Sequence, residues 1–427
     1  MSRILPKARG TGGAPPAPGD REVAALALDL PARIAEIDHS RLHAERLVRL
    51  RQELIKRDYA AALLFDPMNI RYATGSRNMA VWTMHGPGRY AFIAAEGPVL
   101  LFDFSSSFHV SADCTVVDEM RASTPWFYFL AGPRVPEKTA RWAAEVIGLV
   151  RQCGGDNRRL AVDRCEPWGA RHLMDAGIEL FDAQEPLEQA RMIKTVDEIK
   201  CLQLAVDVAD IAIDRMRRAV RPGLTENQLW SILHQTNIAH DGEWIESRLL
   251  ASGERTNPWF QECSNRVIEA GDLVSFDTDM VGPLGYLADL SRSFVCPGKE
   301  PSAEQQQLYS LAQEQVVTNM ELLKPGLSLR EFAQVCWKVP EEYVPRRYMM
   351  MLHGAGMVDE YPTVAYPVDW DEWGYEARLE ENMVVCVESF IGAVGSKEGV
   401  KLEQQVLITN TGSRVLSKSR FIDALVA

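Results

Sequence analysis

Residues 273–294 read Leu273-Val-Ser-Phe-Asp277-Thr-Asp279 and then, after a Gly/Pro turn, Gly285-Tyr-Leu-Ala-Asp289-Leu-Ser-Arg-Ser-Phe294. Each part predicts a β-strand, because short apolar runs bounded by turn residues are typical of strands. A hairpin of the two strands would bring Asp277 or Asp279 beside Asp289. A single aspartate is more often a turn residue or solvated, so a functional interpretation depends on the rest of the chain.

Two glutamates and a histidine further along the chain favour the functional interpretation. Glu388 lies within the apolar run 383–390, and Glu403 lies in Gly399-Val-Lys-Leu-Glu403-Gln-Gln-Val-Leu-Ile-Thr409. An ionised glutamate in a buried strand is costly unless a cation meets it. A pair of metal ions would remove the repulsion among the carboxylates. His353, in Leu352-His-Gly-Ala-Gly356, would supply a nitrogen ligand.

Five potential ligands occur in an order that resembles the dinuclear metal site of the methionine aminopeptidase, prolidase and creatinase superfamily, the pita-bread fold: Asp277, Asp289, His353, Glu388 and Glu403. The resemblance implies that Asp289 and Glu403 bridge two metal ions. It also implies that the first aspartate binds one ion, and His353 with Glu388 the other. The interval from Asp277 to Asp289 is one residue longer than usual and that from Asp279 one shorter, so either aspartate or both can be the first ligand. Oxygen ligands with one imidazole suit iron, manganese or zinc, and spacing does not choose among them. Of the three, iron is the metal we expect.

Further motifs extend the resemblance over most of the chain. Asn69-Ile-Arg-Tyr-Ala-Thr-Gly75 resembles the first domain of the prolidase and creatinase branch, and Arg191-Met-Ile-Lys194 resembles the start of its catalytic domain. Apolar runs bounded by turn residues predict strands at 61–65, 90–94, 99–104 and 160–162, an amphipathic pattern predicts a helix over 38–56, and 185–196 resembles a connector. Strands that alternate with helices before residue 190 are typical of an α/β domain. We expect a flexible arm over residues 1–20, an α/β creatinase-like domain over 21–190, and an α+β pita-bread catalytic domain over 191–427.

The histidines argue against a peptidase. Peptidases of this superfamily use further histidines to move protons and hold the peptide, but after residue 240 this chain has only His353. Where those members carry His-Glu-x-Pro, this chain carries Asp359-Glu360-Tyr361-Pro362. A metal pair with an acidic residue at that position resembles instead the DddP-type dimethylsulfoniopropionate lyases, which form acrylate and dimethyl sulfide. The resemblance implies a small zwitterionic substrate and a β-elimination with Asp359 as general base.

A sulfonium substrate also suggests an aromatic cage. Trp82, Trp259 and Tyr348 are the candidates, each attracting the cation by about 1 kcal/mol. Each also has a plain interpretation as core or interface packing, and Asp359 as a loop or cap residue. Tyr348 is the alternative base, as a phenolate beside the metals. The segment Trp370–Trp373 fits either a substrate lid or a dimer contact.

Two other functions compete with the lyase. One is an Xaa-Pro dipeptidase-like metallohydrolase with altered substrate preference. The other is a non-catalytic member that uses the fold to bind proteins. Such members typically lack metal ligands, whereas this chain keeps all five, so we disfavour the binding function.

The composition describes an acidic protein of 427 residues. Lys and Arg number 46 against 59 Asp and Glu, a net charge of −13, which disfavours nucleic acid or an anionic membrane as partner. No run approaches the roughly 20 apolar residues of a membrane span. Eight scattered cysteines without a C-x-x-C motif indicate reduced thiols in the cytoplasm. The resemblance implies a homodimer in which the region of Trp82 faces the partner's active site.

Overall fold

The computed structural model describes residues 28–419 together with Phe421 and Leu425. The arm predicted over residues 1–20 lies outside these residues. In the described part of the chain, no helix combines the length and the apolar character that a membrane crossing requires. The domain limit near residue 190 stays a prediction.

The first half of the chain is built around a six-stranded mixed sheet. Its strands are β1 (Ala61–Leu64), β2 (Tyr90–Ala94), β3 (Val99–Asp103), β4 (Glu119–Ala122), β5 (Arg159–Val162) and β6 (Glu179–Asp182). They lie in the order β4-β3-β2-β1-β5-β6, with β1–β2 and β2–β3 antiparallel and the other pairs parallel. The four strands predicted from apolar runs, at 61–65, 90–94, 99–104 and 160–162, are confirmed within one residue at each end.

Helices cover this sheet and connect it to the rest of the chain. They are α1 (Leu30–Ala35), α2 (His39–Lys56), α3 (Pro67–Thr74), α4 (Ala80–His85), α5 (Tyr128–Ala131), α6 (Val135–Gly154), α7 (Pro167–Asp175) and α8 (Gln184–Met192). The predicted amphipathic helix over 38–56 is confirmed as α2, which begins after Asp38 because that side chain accepts a hydrogen bond from the Arg41 backbone N–H. The segment 185–196, predicted as a plain connector, contains most of α8.

The second half opens with two long helices. These are α9 (Val196–Ala219) and α10 (Glu226–Ala239), followed later by α11 (Ala303–Leu322), α12 (Leu329–Val335) and α13 (Trp370–Trp373). A reciprocal capping box starts α9: the Thr195 side chain accepts from the Glu198 N–H, and the Glu198 side chain accepts from the Thr195 N–H. The apolar face of α9 packs into a core shared with the first half of the chain.

Three antiparallel sheets follow. Their strands are β7 (Trp244–Ile245), β8 (Leu250–Ser252), β9 (Leu273–Asp277), β10 (Met280–Val281), β11 (Leu287–Ala288), β12 (Ser291–Val295), β13 (Leu352–Ala355), β14 (Asp359–Val364), β15 (Val384–Ile391), β16 (Val400–Ile408) and β17 (Ser413–Val415). The orders are β11-β10-β7, β12-β9-β8 and β14-β13-β15-β16-β17.

The two strands predicted over 273–279 and 285–294 are each interrupted. Backbone pairing of β9 with β12 ends where Asp277 faces Ser291, and β10 then pairs with β11 in a separate sheet. Asp279 lies in the break, with a positive φ of 36°. Apolar runs do not predict such a break, because it depends on pairing partners: the chain pairs with β12 before Asp279 and with β11 after it.

Candidate metal centre and active site

Two neighbouring strands of the five-stranded sheet carry the glutamates. Glu388 on β15 and Glu403 on β16 are paired directly across the sheet, and both are buried. Directly opposed side chains of an antiparallel pair lie on the same face of the sheet. Two negative charges therefore meet on one apolar face, which is unfavourable unless cations join them.

The aspartates come from the interrupted hairpin, which lies against this sheet. Ser293 Oγ on β12 donates to the Lys401 carbonyl at 2.9 Å, and the Asp289 N–H donates to Gln405 Oε1 at 3.0 Å. The Asp279 N–H in turn points to Asp289 Oδ1, 3.4 Å away. Asp277, Asp279 and Asp289 each offer an oxygen, and these three atoms lie within 4.8 Å of one another. The sequence prediction that Asp277 or Asp279 lies beside Asp289 is confirmed for both.

His353 completes the set from β13. Its Nε2 lies 3.2 Å from Glu388 Oε1, 3.6 Å from Asp289 Oδ2 and 3.7 Å from Glu403 Oε1. Its Nδ1 lies 3.0 Å from the Gly354 carbonyl. Donation from Nδ1 to that carbonyl leaves the lone pair of Nε2 directed at the carboxylates, as in a metal-ligating histidine.

The glycines that follow His353 have a steric role. A Cβ on Gly354 would come within 2.4 Å of the Tyr361 carbonyl oxygen, and one on Gly356 within 2.2 Å of Glu360 Oε2. Strands β13 and β14 can therefore approach only because these positions lack side chains. That approach brings Asp359 next to His353.

Lys401 is a residue that sequence reasoning missed. Its Nζ lies 2.6 Å from Glu388 Oε2, 3.0 Å from Asp277 Oδ2 and 3.3 Å from Glu403 Oε2, and the side chain is fully buried. The signal was in the sequence: Lys401 precedes Glu403 by two positions, so in a strand both side chains are on the same face. Lys401 is the protein's own cation beneath the carboxylates.

We name Asp277, Asp279, Asp289, Glu388 and Glu403 the carboxylate cluster. Burial and the charge of Glu403 raise the pKa of Asp277 to about 7, and burial with the charge of Asp277 raises the pKa of Asp279. Against the effect of burial, Lys401 and His353 hold the pKa of Glu403 below its ordinary value. The cluster thus holds more negative charge than its single lysine compensates.

The cluster fits a metal centre. Asp277 Oδ1 and Glu403 Oε1 are buried and have no hydrogen-bond partner among the described residues. A second group of ligand atoms within 4.8 Å of one another comprises Asp289, His353, Cys386 and Glu403. Carboxylates with an imidazole are suitable ligands for iron, manganese or zinc. The orphaned oxygens and the two overlapping groups are what a pair of ions sharing Asp289 would need.

A cavity of about 370 Å³ opens above the cluster. Its lining includes Asp279, Asp289 and His353 on one side and Glu246, Phe260, Tyr348 and Asp359 around them. Asp359 Oδ1 lies 3.4 Å from His353 Nδ1, and 64% of the Asp359 side chain is exposed. A carboxylate that faces the cavity beside the ligand set is placed to exchange a proton with a bound molecule.

A second buried set of charges anchors the strand of Asp359. We name Glu188, Arg191, Lys194 and Glu360 the linker cluster. Glu360 accepts from Lys194 Nζ at 2.6 Å and lies 3.3 Å from Arg191 Nε, while Arg191 also pairs with Glu188. The motif Arg191-Met-Ile-Lys194 therefore fixes β14 to the segment between the two halves of the chain.

The three predicted cage residues lie in different surroundings. Tyr348 lines the cavity, stacks on Phe260 at 5.4 Å, and has Lys401 Nζ 4.5 Å from its ring centroid. Trp259 is buried, contacts Phe390, and has the same Nζ 5.9 Å from its ring, so it is not part of the cavity wall. Trp82 is 37% exposed on α4 and is likewise outside the cavity lining. The three do not form one cage within a single chain.

The Trp370–Trp373 segment is the short helix α13. Trp370 is buried under Arg330, whose guanidinium carbon lies 5.1 Å from its ring centroid, and Trp373 is exposed. Neither residue lines the cavity. Within one chain, α13 is thus not a lid over the site.

Comparison with known proteins agrees with the fold. Residues 46–193 match the creatinase/prolidase N-terminal domain, and residues 200–410 match metallopeptidase family M24. The chain is 41% identical over 400 residues to the dimethylsulfoniopropionate lyase DddP of Roseovarius nubinhibens, covering 92% of this chain and 90% of that protein. It is 40% identical over 404 residues to the dimethylsulfoniopropionate lyase DddP of Roseobacter denitrificans, covering 93% and 89%.

Solved structures extend the similarity to the fold. The Xaa-Pro dipeptidase of Bacillus anthracis superposes with a TM-score of 0.72 at 23% identity, covering 89% of this chain and 99% of that one. The prolidase of Pyrococcus horikoshii superposes with a TM-score of 0.69 at 22% identity, covering 88% and 99%. At such identity the likeness concerns architecture alone. The predicted fold class, a creatinase-like α/β domain followed by a pita-bread domain, is confirmed.

Proposed function

Because this chain belongs to the family of the dimethylsulfoniopropionate lyases named DddP, we propose that it cleaves dimethylsulfoniopropionate to acrylate and dimethyl sulfide. The observation that carries the proposal is the identity of 41% over 92% of the chain. The site supports it, since the exposed carboxylate of Asp359 lines the cavity beside His353.

The reaction is a β-elimination. A base removes a proton from the carbon next to the substrate carboxylate, the electrons of that C–H bond form the C=C bond of acrylate, and the C–S electrons leave with neutral dimethyl sulfide. Asp359 is the proposed base, because its carboxylate faces the cavity 3.4 Å from His353. A proton accepted there can return to solvent, since most of the side chain is exposed.

The residues proposed to hold two metal ions are the carboxylate cluster and His353. When bound, the ions would supply Lewis-acid stabilisation of the negative charge that builds up on the substrate carboxylate. We propose iron as the metal, with manganese and zinc as the alternatives that the ligand types also suit. Lys401 Nζ contacts one oxygen of each of Asp277, Glu388 and Glu403. The other oxygen of each carboxylate is then available to a metal ion.

Tyr348 is proposed as a substrate-contacting residue, because it is the cage candidate that lines the cavity. It stays the alternative base. Burial and nearby Glu388 raise the pKa of Tyr348, so a phenolate there would depend on the positive charge of bound metal ions.

We further propose a cytoplasmic homodimer. All eight cysteines lie in the described part of the chain and none forms a disulfide, which agrees with a reducing compartment. Trp82 packs edge-on against Phe127 and Phe129 beside exposed Tyr128, and together these rings form an apolar surface that a second copy would cover. Sedimentation of a 47.8 kDa species at micromolar protein would refute the dimer.

The decisive experiment supplies purified, metal-loaded protein with dimethylsulfoniopropionate and measures dimethyl sulfide in the headspace by gas chromatography. Equal amounts of acrylate and dimethyl sulfide are expected. The competing function, hydrolysis of Xaa-Pro dipeptides, is tested on the same protein. Dipeptide hydrolysis that survives Asp359→Ala, without dimethyl sulfide from the wild type, would replace the lyase by a dipeptidase.

A further inference from the structure

Glu246 is a cavity residue that the mechanism above does not use. It follows β7, and its backbone N–H donates to the Asp279 carbonyl at 2.9 Å. Trp244 Nε1 donates to Glu246 Oε1, also at 2.9 Å. The backbone bond fixes Glu246 to the loop of the carboxylate cluster. The residue is exposed at the surface of the chain where it lines the cavity, and the indole hydrogen bond orients its carboxylate.

The carboxylate of Glu246 has no cationic partner of its own. In residues 28–419, no Lys, Arg or His nitrogen lies within 4.0 Å of it, and the nearby charge of Asp359 repels it. This distinguishes it from Glu243, three positions earlier, which pairs with Arg71 at 2.6 Å. A fixed carboxylate that lines a cavity without a partner favours a positively charged ligand group beside it.

Two of the predicted cage rings are less available to such a group. The rings of Tyr348 and Trp259 already face the ammonium of Lys401, at 4.5 and 5.9 Å from their centroids. A sulfonium placed against those faces would meet a buried like charge. The carboxylate end of a zwitterion would instead face the metal ions that the carboxylate cluster and His353 are proposed to hold.

Part of the cavity lining is apolar. Leu249, Phe260, Met349 and Met350 all line the cavity. The methyl groups of an onium centre present an apolar surface that carries its positive charge. Such a group is bound best by apolar side chains together with a nearby anion. Among the carboxylates of the cavity lining, Asp279 and Asp289 are proposed metal ligands, Asp359 is the proposed base, and Glu360 is paired with Lys194. Glu246, together with these apolar side chains, is the group left for the onium end of a zwitterion.

We propose that Glu246 binds the dimethylsulfonium group and so orients the substrate within the cavity. The inference rests on the proposed function and deepens it. It defines the ligand class as small zwitterions whose methylated onium centre is separated from the carboxylate by two carbons. Glu246 acts as a specificity residue, whereas the proton is taken by Asp359.

Binding of two unreactive ligands tests this. Calorimetry on the metal-loaded full chain compares 3-(trimethylammonio)propionate with 4,4-dimethylpentanoate, which has the same shape and carboxylate but a neutral carbon in place of the cation. The wild type should prefer the zwitterion by about tenfold, and Glu246→Gln should reduce that preference to within about twofold. Gln keeps an oxygen for the Trp244 N–H, so the wall itself is preserved. Glu254→Gln, an exposed glutamate outside the cavity, is the matched control and should keep the full preference.

Kinetics provide a second readout. With dimethylsulfoniopropionate, Glu246→Gln should raise KM about tenfold while kcat stays within about threefold of the wild type. An unchanged zwitterion preference in Glu246→Gln would overturn the inference, as would a wild type that does not prefer or does not bind the zwitterion. A wild type that prefers the zwitterion but releases no dimethyl sulfide would instead refute the proposed function and leave the role of Glu246 in binding supported.

Discussion

The carboxylate cluster and the linker cluster are both largely buried sets of charged side chains, yet they differ in the balance of positive and negative charge. The linker cluster sets two cations, Arg191 and Lys194, against two carboxylates, Glu188 and Glu360. The carboxylate cluster sets one cation, Lys401, against five carboxylates. The charges of the linker cluster balance within the protein, and those of the carboxylate cluster do not.

This difference in charge indicates that the linker cluster has a structural role and that the carboxylate cluster binds metal ions. With all five carboxylates ionised and His353 neutral, the carboxylate cluster with Lys401 has a net charge of 1 − 5 = −4. Two divalent ions would bring that sum to zero, which a buried site strongly favours. Lys401 thus accounts for the fifth carboxylate, and the four remaining negative charges match two metal ions.

Removal of a shared ligand should have the largest effect. Glu403→Ala should reduce the metal content to well under one ion per chain and lower lyase activity about a thousandfold. The reason is that Glu403 is proposed to serve both ions. Elemental analysis and the headspace assay measure the two quantities. Glu381→Ala, an exposed glutamate just before β15, is the control, and full metal content in Glu403→Ala would contradict the assignment.

Breaking the balanced cluster should affect folding instead of metal content. Glu360→Ala leaves Lys194 and Arg191 buried without their shared partner and should lower the free energy of unfolding by about 3–5 kcal/mol. The metal content per folded chain should stay that of the wild type. Urea titration measures the free energy of unfolding of this variant and of a control. The control, Glu376→Ala, removes the exposed ion pair with Arg330 and should lower the free energy of unfolding by at most about 1 kcal/mol. Equal losses in both variants would show that the linker cluster is not structural.

Asp359 lies between the two clusters, and its replacement should change neither of them. Asp359→Asn keeps the size of the side chain but cannot accept the proton, so turnover should fall at least about a hundredfold. Metal content and the free energy of unfolding should remain nearly constant. His353→Ala, by contrast, should lose activity together with a metal ion. Turnover above about a tenth of wild type in Asp359→Asn would exclude it as the base.

Removal of the metal ions by a chelator should lower the free energy of unfolding by an amount that depends on pH. Without metal, the pKa of Asp277 is about 7, above its unfolded value of 3.8, so the stability it contributes is present at acid pH and is lost as pH rises through about 7. Metal binding favours the ionised ligands and opposes that loss. EDTA should therefore lower the free energy of unfolding by about 2 kcal/mol more at about pH 8 than at about pH 5. A chelation effect independent of pH would mean that the carboxylate cluster is not the metal site.

Much of the fold could be predicted from local pattern. The amphipathic helix α2 and the strands at 61–64 and 90–94 follow from periodicity and flanking turn residues, both of which are properties of adjacent positions. The interruption at Asp279 could not be predicted, because it arises where β9 and β10 pair with different sheets. Helix α8 was also missed, because its sequence is short and resembles the linker that was predicted over 185–196.

The sequence by itself predicted the chemistry of the site. Glu388 and Glu403 in apolar strands need a cation, and the ordered set of Asp277, Asp289, His353, Glu388 and Glu403 resembles the superfamily's dinuclear metal site. Asp359 was identified by what it replaces. Only the tertiary structure decided what surrounds these groups, because contacts between segments more than a hundred residues apart depend on how sheets pack and not on local pattern. That packing sets Lys401 against Tyr348 and Trp259, moves Trp259 out of the expected cage, and leaves Glu246 without a partner on the cavity wall.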